Sequence, residues 1–487
     1  MAPDPKHFVD LVNGRFAQTT ADNLAALFAD ASGSDHLVVH FHGGLVSRSS
    51  ALDGGNALMD TYRSAGAYPV FFLWNSDLPS QIKGSWSQIP NEKAFQRLVR
   101  RLAQLAIGKL KDAGGRRGGA IQPPSMREIP QDLPDVSRYV DSLEGTLSRD
   151  AGDLTDTQQD QVQRELDTDD TLRRESAAIA LNEQVAQGKP IVASRGSLPD
   201  VPPTASLMSA GVREDIRRDA YATPGEPARR GVIAITLARH GAAILFNVIR
   251  RYITHRDHGL YTTIVEETMR RLYVDSLGQI AWETMKTDTL DAFGSDVATC
   301  GGTAFLQHLS GWHKAGRRIT LVGHSTGAVY IGNLLTAADA ALSADVDFEV
   351  VFLAAACSFE FMYARLPAYR RRVGDRIRSF GLGAEREHGY FEVPVLYDGS
   401  LLYMVSGLFE MTEVDKELVG MQRFYRTEHA YDDLDCREVR AYLDGKTVWS
   451  PSDVPDGWRC DAPRHGGFTS DDWTKESLGY ILKNGFK

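Results

Sequence analysis

The chain has 487 residues, of which 43% are hydrophobic and 24% charged, with a formal net charge of −10. These proportions exclude a disordered or fibrous class, and the acidic balance argues against nucleic acid as a partner. The length exceeds what one hydrophobic core usually organises, which predicts a core domain carrying a large insertion.

The first residues, Met1 to Asp10, lack the apolar stretch and small-residue cleavage site of a secretory signal, so a cytoplasmic location is expected. Cys300, Cys357, Cys436 and Cys460 have no metal-ligand spacing and are too few for a disulfide framework. Cys436 with Cys460 is the one pairing considered, and only for an exported form.

In chain order, Phe8 to Phe16 reads as an edge strand and Ala21 to Ala31 as a helix. His36 to Phe41 is an apolar strand that runs into His42-Gly43-Gly44, and Tyr68 to Trp74 is a second strand of the kind buried on both faces. No comparable strand follows until Ile319. The intervening region predicts a helical insertion, broken at Ala113 to Gly119, Pro123-Pro124, Pro199 to Pro203 and Pro224 to Pro227. Within it, Asp150 to Glu175 is acidic and Gln-rich, and reads as a solvated helix or mobile segment. Val232 to Ile253 predicts a broadly apolar helix with Thr236, His240, Asn247 and Arg251 at helical spacing. Arg239 and His240 argue against a membrane span there. Two readings stay open for this helix: packing over the core, or a lid whose apolar face lines an acyl pocket or makes transient contact with lipid.

Asp275 to Phe293 and Val297 to Lys314 predict helices that return the chain to the sheet. The strand Ile319 to Val322 then leads into Gly323-His324-Ser325-Thr326-Gly327 and a helix from Ala328 to Leu342. Strands are expected at Phe348 to Ala356, Arg376 to Leu382 and Thr447 to Ser450, and a helix at Ser470 to Lys483. Ser400 to Val405 reads equally as a helix or a buried strand.

A serine framed by glycines two residues either side, between a strand and a helix, suits a nucleophile for acyl transfer. The turn strains the serine backbone and demands close packing of its neighbours. Ser325 is the candidate. An acyl-transfer intermediate carries negative charge on the former carbonyl oxygen, so the site needs backbone N–H donors that glycine leaves unobstructed. Gly43 or Gly44 is expected to supply one donor and Thr326, at the start of the next helix, the other. The general base is expected at His465, in Arg464-His465-Gly466-Gly467-Phe468, because a serine hydroxyl is a poor nucleophile until a base takes its proton.

These blocks together resemble the α/β-hydrolase superfamily, and within it bacterial serine hydrolases of lipase or esterase type. The resemblance covers about 1 to 85 and 275 to 487, and implies an α/β fold with a mostly parallel sheet, core segments at 1–77 and 276–487, and a helical cap at 78–275. It implies hydrolysis of a small-molecule ester or lipid through an acyl-enzyme, with no metal or organic cofactor. The sequence departs from the family at the orienting acid, since no aspartate lies just beyond either strand that could present it. Glu385, in the Gly-containing loop after the strand ending at Leu382, is preferred, with Glu360, Glu387 and Asp398 as alternatives. A serine peptidase or amidase, a membrane-acting phospholipase, and a scaffold without catalysis remain as rival readings. Substrate identity and oligomeric state are outside what the residues state.

Overall fold

The computed structural model describes residues 4–44, 46–74, 86–111, 124–186, 206–220, 235–273, 279–410, 414–426 and 429–486. Its centre is an eight-stranded sheet in the order β10-β7-β6-β5-β3-β4-β1-β2. The strands are β1 (Phe8–Val12), β2 (Arg15–Phe16), β3 (His36–Phe41), β4 (Tyr68–Leu73), β5 (Arg318–His324), β6 (Glu349–Leu353), β7 (Ile377–Leu382) and β10 (Thr447–Ser450). Every neighbouring pair is parallel except β1 with β2. The protein is therefore of the α/β class with a mostly parallel sheet. A separate antiparallel pair joins β8 (His388–Val393) and β9 (Tyr397–Gly399).

Continuous apolar runs form the middle of the sheet, and β3 and β6 are buried at every position, as a strand covered on both faces must be. Two groups of helices supply that cover. Arg48–Ser64 packs with Asp472–Asn484; Ala21–Asp30, Gly301–Trp312, Gly327–Ala341, Phe359–Arg372 and Leu434–Leu443 form the other group. The edge differs from the expected single strand over Phe8 to Phe16. Asn13 and Gly14 both take positive φ, 51° and 70°, and fold the segment into a tight hairpin; Asn-Gly supplies this turn at low steric cost.

Between β4 and β5 the described chain is helical: Lys93–Lys111, Leu133–Leu143, Asp156–Asp167, Asp170–Ala186, Ala210–Ala220, Ile235–Ile253 and Leu260–Leu272, which pack chiefly on one another. The Gly-rich break after Lys111 and the proline clusters at 199–203 and 224–227 lie outside the described residues. The acidic segment forms a helix that is solvated on most of its surface but has one buried face. A capping box between Thr155 and Gln158 starts its helix, and Val162 and Leu166 are buried. Leu166 reaches so close to Gly241 that a Cβ there would lie 2.5 Å from its Cδ1. Sparse apolar residues suffice when all fall on one helical face.

Helix Ile235–Ile253 turns Leu237, Leu245, Val248 and Ile249 inward, each at most 1% exposed. The apolar face considered for lipid contact is thus the face that packs inside the helical unit. Its polar positions are also used internally. Arg251 pairs with Glu266 at 2.7 Å and Glu267 at 2.8 Å, with all three side chains at most 2% exposed. Among the described residues no helix is long and apolar enough to cross a membrane. The Ser400 to Val405 segment resolves as a helix, Leu401–Met404, that widens into a π-helical turn over Val405–Phe409. All four cysteines are buried and free, so Cys436 and Cys460 are not bonded to each other.

Candidate active site

The strand order reverses between β3 and β5: the chain builds outward to β4 and β1 on one side and to β6, β7 and β10 on the other. Crevices beyond the carboxyl ends of parallel strands at such a reversal are the usual ligand site of open α/β sheets. Phe41, the last residue of β3, is in register with Gly323 of β5. The same pairing brings the His42-Gly43-Gly44 loop against the turn that carries Ser325.

That turn is strained in the way its sequence demands. Ser325 has φ 53°, a left-handed conformation that costs a non-glycine residue about 1–2 kcal/mol. Its amide donates to Leu353 O at 2.8 Å, and its carbonyl accepts from Ala328 at 3.0 Å and Ala356 at 3.0 Å. Glycine is required on both sides by contact, not by φ. A Cβ on Gly327 would lie 2.3 Å from Phe41 O, and one on Gly323 would lie 2.8 Å from the Gly327 carbonyl. The helix Gly327–Ala341 then starts directly behind the serine, so its dipole favours negative charge near the Thr326 amide.

Gly43 and Gly44 sit where donors are needed. A Cβ on Gly43 would be 3.1 Å from Ser325 Cβ, and one on Gly44 would be 2.5 Å from Thr326 Oγ1. The Gly44 amide already donates to that hydroxyl at 3.2 Å, so it can serve an oxyanion only after exchanging partners. The Thr326 amide takes no part in the backbone bonds that hold the turn.

His465 stands in the short turn His465–Gly467 and is buried against His324, their ring centroids 5.2 Å apart and their planes tilted by 30°. His324 Nε2 donates to the His465 carbonyl at 3.1 Å. The expected base thus packs on the residue that precedes the expected nucleophile in sequence. Both of its own ring nitrogens are buried without a hydrogen-bond partner among the described residues. Burial, and then the neighbouring His324, push its pKa well below the ordinary histidine value.

None of the four expected acids meets this ring. Glu385, the preferred one, lies exposed in the turn after β7. Glu360 is exposed at the start of helix Phe359–Arg372 and pairs with Lys416. Asp398 faces His388 Nδ1 at 3.9 Å. Glu387 is 2% exposed and, among the described residues, forms no ion pair. Burial pushes its pKa up to about 8, with the Ser400 hydroxyl and the Arg423 guanidinium offsetting part of that. Glu385 thus does not meet the His465 ring in this structure: from its loop it is the arginine, not the glutamate, that reaches the segment before His465. Arg386 donates to Asp461 O at 2.8 Å and to Ala462 O at 3.0 Å.

Sequence reasoning passed over two further features. His40, His42 and His324 all lie in the two glycine motifs and are buried around the turn. Burial lowers the pKa of His40 to about 3 and of His42 to about 4, with His324 adding to the lowering of both. The repeated histidine in His40-Phe41-His42 was the available signal. The second feature is a chain from Ser406 Oγ to His258 Nε2 at 3.3 Å and from His258 Nδ1 to Glu266 Oε1 at 2.6 Å. It has the connectivity of a catalytic triad, but all three side chains are fully buried and the Ser406 hydroxyl is donated to Lys416 O at 2.7 Å. It acts as a crosslink between the helical unit and the late loops. Among the described residues no group of His, Cys, Asp or Glu is placed to hold a metal ion.

Comparison of the chain with protein-family models, with curated proteins and with solved structures finds no match in any of the three.

Proposed function

We propose that the protein is a serine hydrolase of α/β-hydrolase type that cleaves carboxylic esters, with Ser325 as nucleophile. One observation carries the reading: a serine at φ 53° between a central parallel strand and a helix, braced by glycines that leave no room for a side chain. A protein retains such strain where the hydroxyl it positions is useful, although Ser325 itself is only 2% exposed here. In this reading Ser325 Oγ attacks the ester carbonyl, His465 takes its proton and returns it to the leaving alcohol, and the Thr326 amide with one from Gly43 or Gly44 holds the oxyanion. Water then cleaves the acyl-enzyme by the same route. The orienting carboxylate has no occupant among the described residues, and neither ring nitrogen of His465 is hydrogen-bonded to Ser325, so the reading rests on the serine turn and requires His465 to engage Ser325 Oγ during the reaction.

A scaffold without catalysis is the second reading. It is favoured by the unpartnered ring of His465 and by the Gly44 amide bonded to Thr326. Fluorophosphonate labelling with intact-mass analysis separates the two. Labelling of the parent that is lost in Ser325→Ala and slowed in His465→Ala supports the hydrolase. Labelling that persists in Ser325→Ala, or an inert parent, rejects it.

A further inference from the structure

A cavity of about 310 Å³ adjoins the serine turn. Two of its wall residues are bonded to that turn, Ala356 to the Ser325 carbonyl at 3.0 Å and Val329 to the Thr326 carbonyl at 2.9 Å. A third wall residue, Lys286, follows Met285, whose sulfur would lie 3.2 Å from a Cβ on Gly44. These links place the cavity next to the segments that hold the serine turn, although Ser325, Thr326, Gly43 and Gly44 do not themselves line it. Its volume is at the lower end for ligand pockets, about 300 Å³.

The cavity holds three cations, Lys286, Arg365 and Lys416, against two carboxylates, Glu360 and Glu410. The lysines are neutralised: Lys286 pairs with Glu410 at 3.0 Å and Glu283 at 2.8 Å, and Lys416 pairs with Glu360. Arg365 is not. Its guanidinium stacks 3.6 Å from the Phe361 ring centroid and donates to Phe361 O at 3.1 Å and Asn333 Oδ1 at 2.9 Å, both neutral acceptors. Its Nε–H is buried without a partner, and among the described residues no carboxylate lies within ion-pair distance. Burial lowers its pKa without deprotonating it. A planar cation fixed by stacking and one amide, set in the cavity wall with no carboxylate facing it among the described residues, is suited to receive a planar anion.

We propose that Arg365 anchors a carboxylate on the substrate, so that the enzyme acts on short esters whose acyl arm ends in an acid, such as half-esters of dicarboxylic acids. This rests on the serine-hydrolase reading. It adds the substrate class: the carbonyl sits at Ser325 and the anion at Arg365, and neutral esters of equal length lack the second anchor.

The test compares kcat/KM for p-nitrophenyl hemisuccinate and hemiglutarate with their neutral methyl diesters, in the parent, Arg365→Met and Arg365→Lys proteins. The expected result is a preference of about ten- to a hundredfold for the free acids, the range of a charge-assisted hydrogen bond. It should collapse in Arg365→Met and return in part in Arg365→Lys. Equal turnover of acid and diester in the parent, or a ratio unchanged in Arg365→Met, overturns the inference while leaving Ser325 labelling intact. An unlabelled Ser325 instead defeats the underlying reading. Protection of the parent from fluorophosphonate by succinate, with succinamide as control, decides the matter if the variants do not fold. Protection by succinate but not its amide is expected, and its absence overturns the proposal. Inorganic phosphate forms the remaining arm, and protection by phosphate without succinate also overturns the carboxylate assignment.

Discussion

The Nε2 of His324 lies 3.1 Å from the carbonyl oxygen of His465, so the residue before the expected nucleophile anchors the backbone of the expected base. The anchor joins positions 141 residues apart. Removing it in His324→Ala should slow fluorophosphonate labelling of Ser325 more than tenfold, at a stability cost of about 1–2 kcal/mol for one buried hydrogen bond. His324→Gln keeps a donor and should recover part of the labelling rate. Equal rates in all three proteins would separate residue 324 from the chemistry.

Replacing Gly327 by alanine drives a Cβ to 2.3 Å from Phe41 O, a backbone atom in the central strand that has nowhere to go. The expected loss is about 1–3 kcal/mol or more in urea unfolding, together with loss of Ser325 labelling. At Ser325 the usual order of glycine and alanine should invert. With φ 53°, Ser325→Gly should be more stable than Ser325→Ala by about 1 kcal/mol, since only the alanine keeps the left-handed strain.

Acid should destabilise the protein through its buried histidines. His36, His40 and His42 have folded pKa values of about 4, 3 and 4, each lowered first by burial. In the unfolded chain they titrate near the ordinary 6.5, so the unfolded state binds protons that the folded state refuses. Stability is full above pH 6.5 and falls as pH drops toward 4, by up to about 1.4 kcal/mol per pH unit for each group. Urea midpoints measured from pH 7.5 to 4.5 should decrease steadily, and His42→Gln should flatten the slope.

Glu387 acts in the opposite direction. Its folded pKa of about 8 exceeds the ordinary 4.5 because burial outweighs the Ser400 hydroxyl and the Arg423 guanidinium. The folded state keeps a proton that the unfolded chain loses, so this group's contribution is full below pH 4.5 and is lost as pH rises through 8. Glu387→Gln should raise stability at pH 8 by on the order of 2 kcal/mol and have little effect at pH 4.5. A destabilised Glu387→Gln at pH 8 would mean that the carboxylate is ionised and bonded in solution.

Arg251 is held between Glu266 and Glu267 in the dry junction of the helical unit. Burial alone would raise the Glu266 pKa, but His258 and Arg251 hold it down at about 2. Arg251→Met removes the cation the two carboxylates share, leaving Glu266 to His258 and Tyr397 and Glu267 to Arg270, and should cost up to about 3 kcal/mol in global unfolding.

Local features were legible in the sequence, and relationships between distant segments were not. The β3, β4 and β5 strands and the serine turn follow from runs of neighbouring residues, so pattern alone placed them. The packing of His465 on His324 depends on how two loops dock, which no local spacing encodes. The acid was misjudged for the same reason: nothing in Gly383-Ala384-Glu385-Arg386-Glu387 states that Arg386 turns toward Asp461 while Glu387 turns inward. The hairpin at Asn13-Gly14 was missed although the Asn-Gly pair signals it, because β2 spans only two residues and shows no strand of its own. The buried face of the acidic helix over Asp156–Asp167 was not foreseen because average composition hides a single apolar stripe.

The crosslink through His258 has a consequence for protein engineering. Glu266 is bonded to Tyr397 at 2.5 Å, Arg256 to Asp415 at 2.5 Å, and Tyr431 to His255 O at 2.9 Å. The helices between β4 and β5 are therefore not a portable cassette. A chimera that grafts 86–273 onto another sheet must also carry the stretch from Tyr397 to Tyr431, or it will seal several charges into a seam with nothing to answer them.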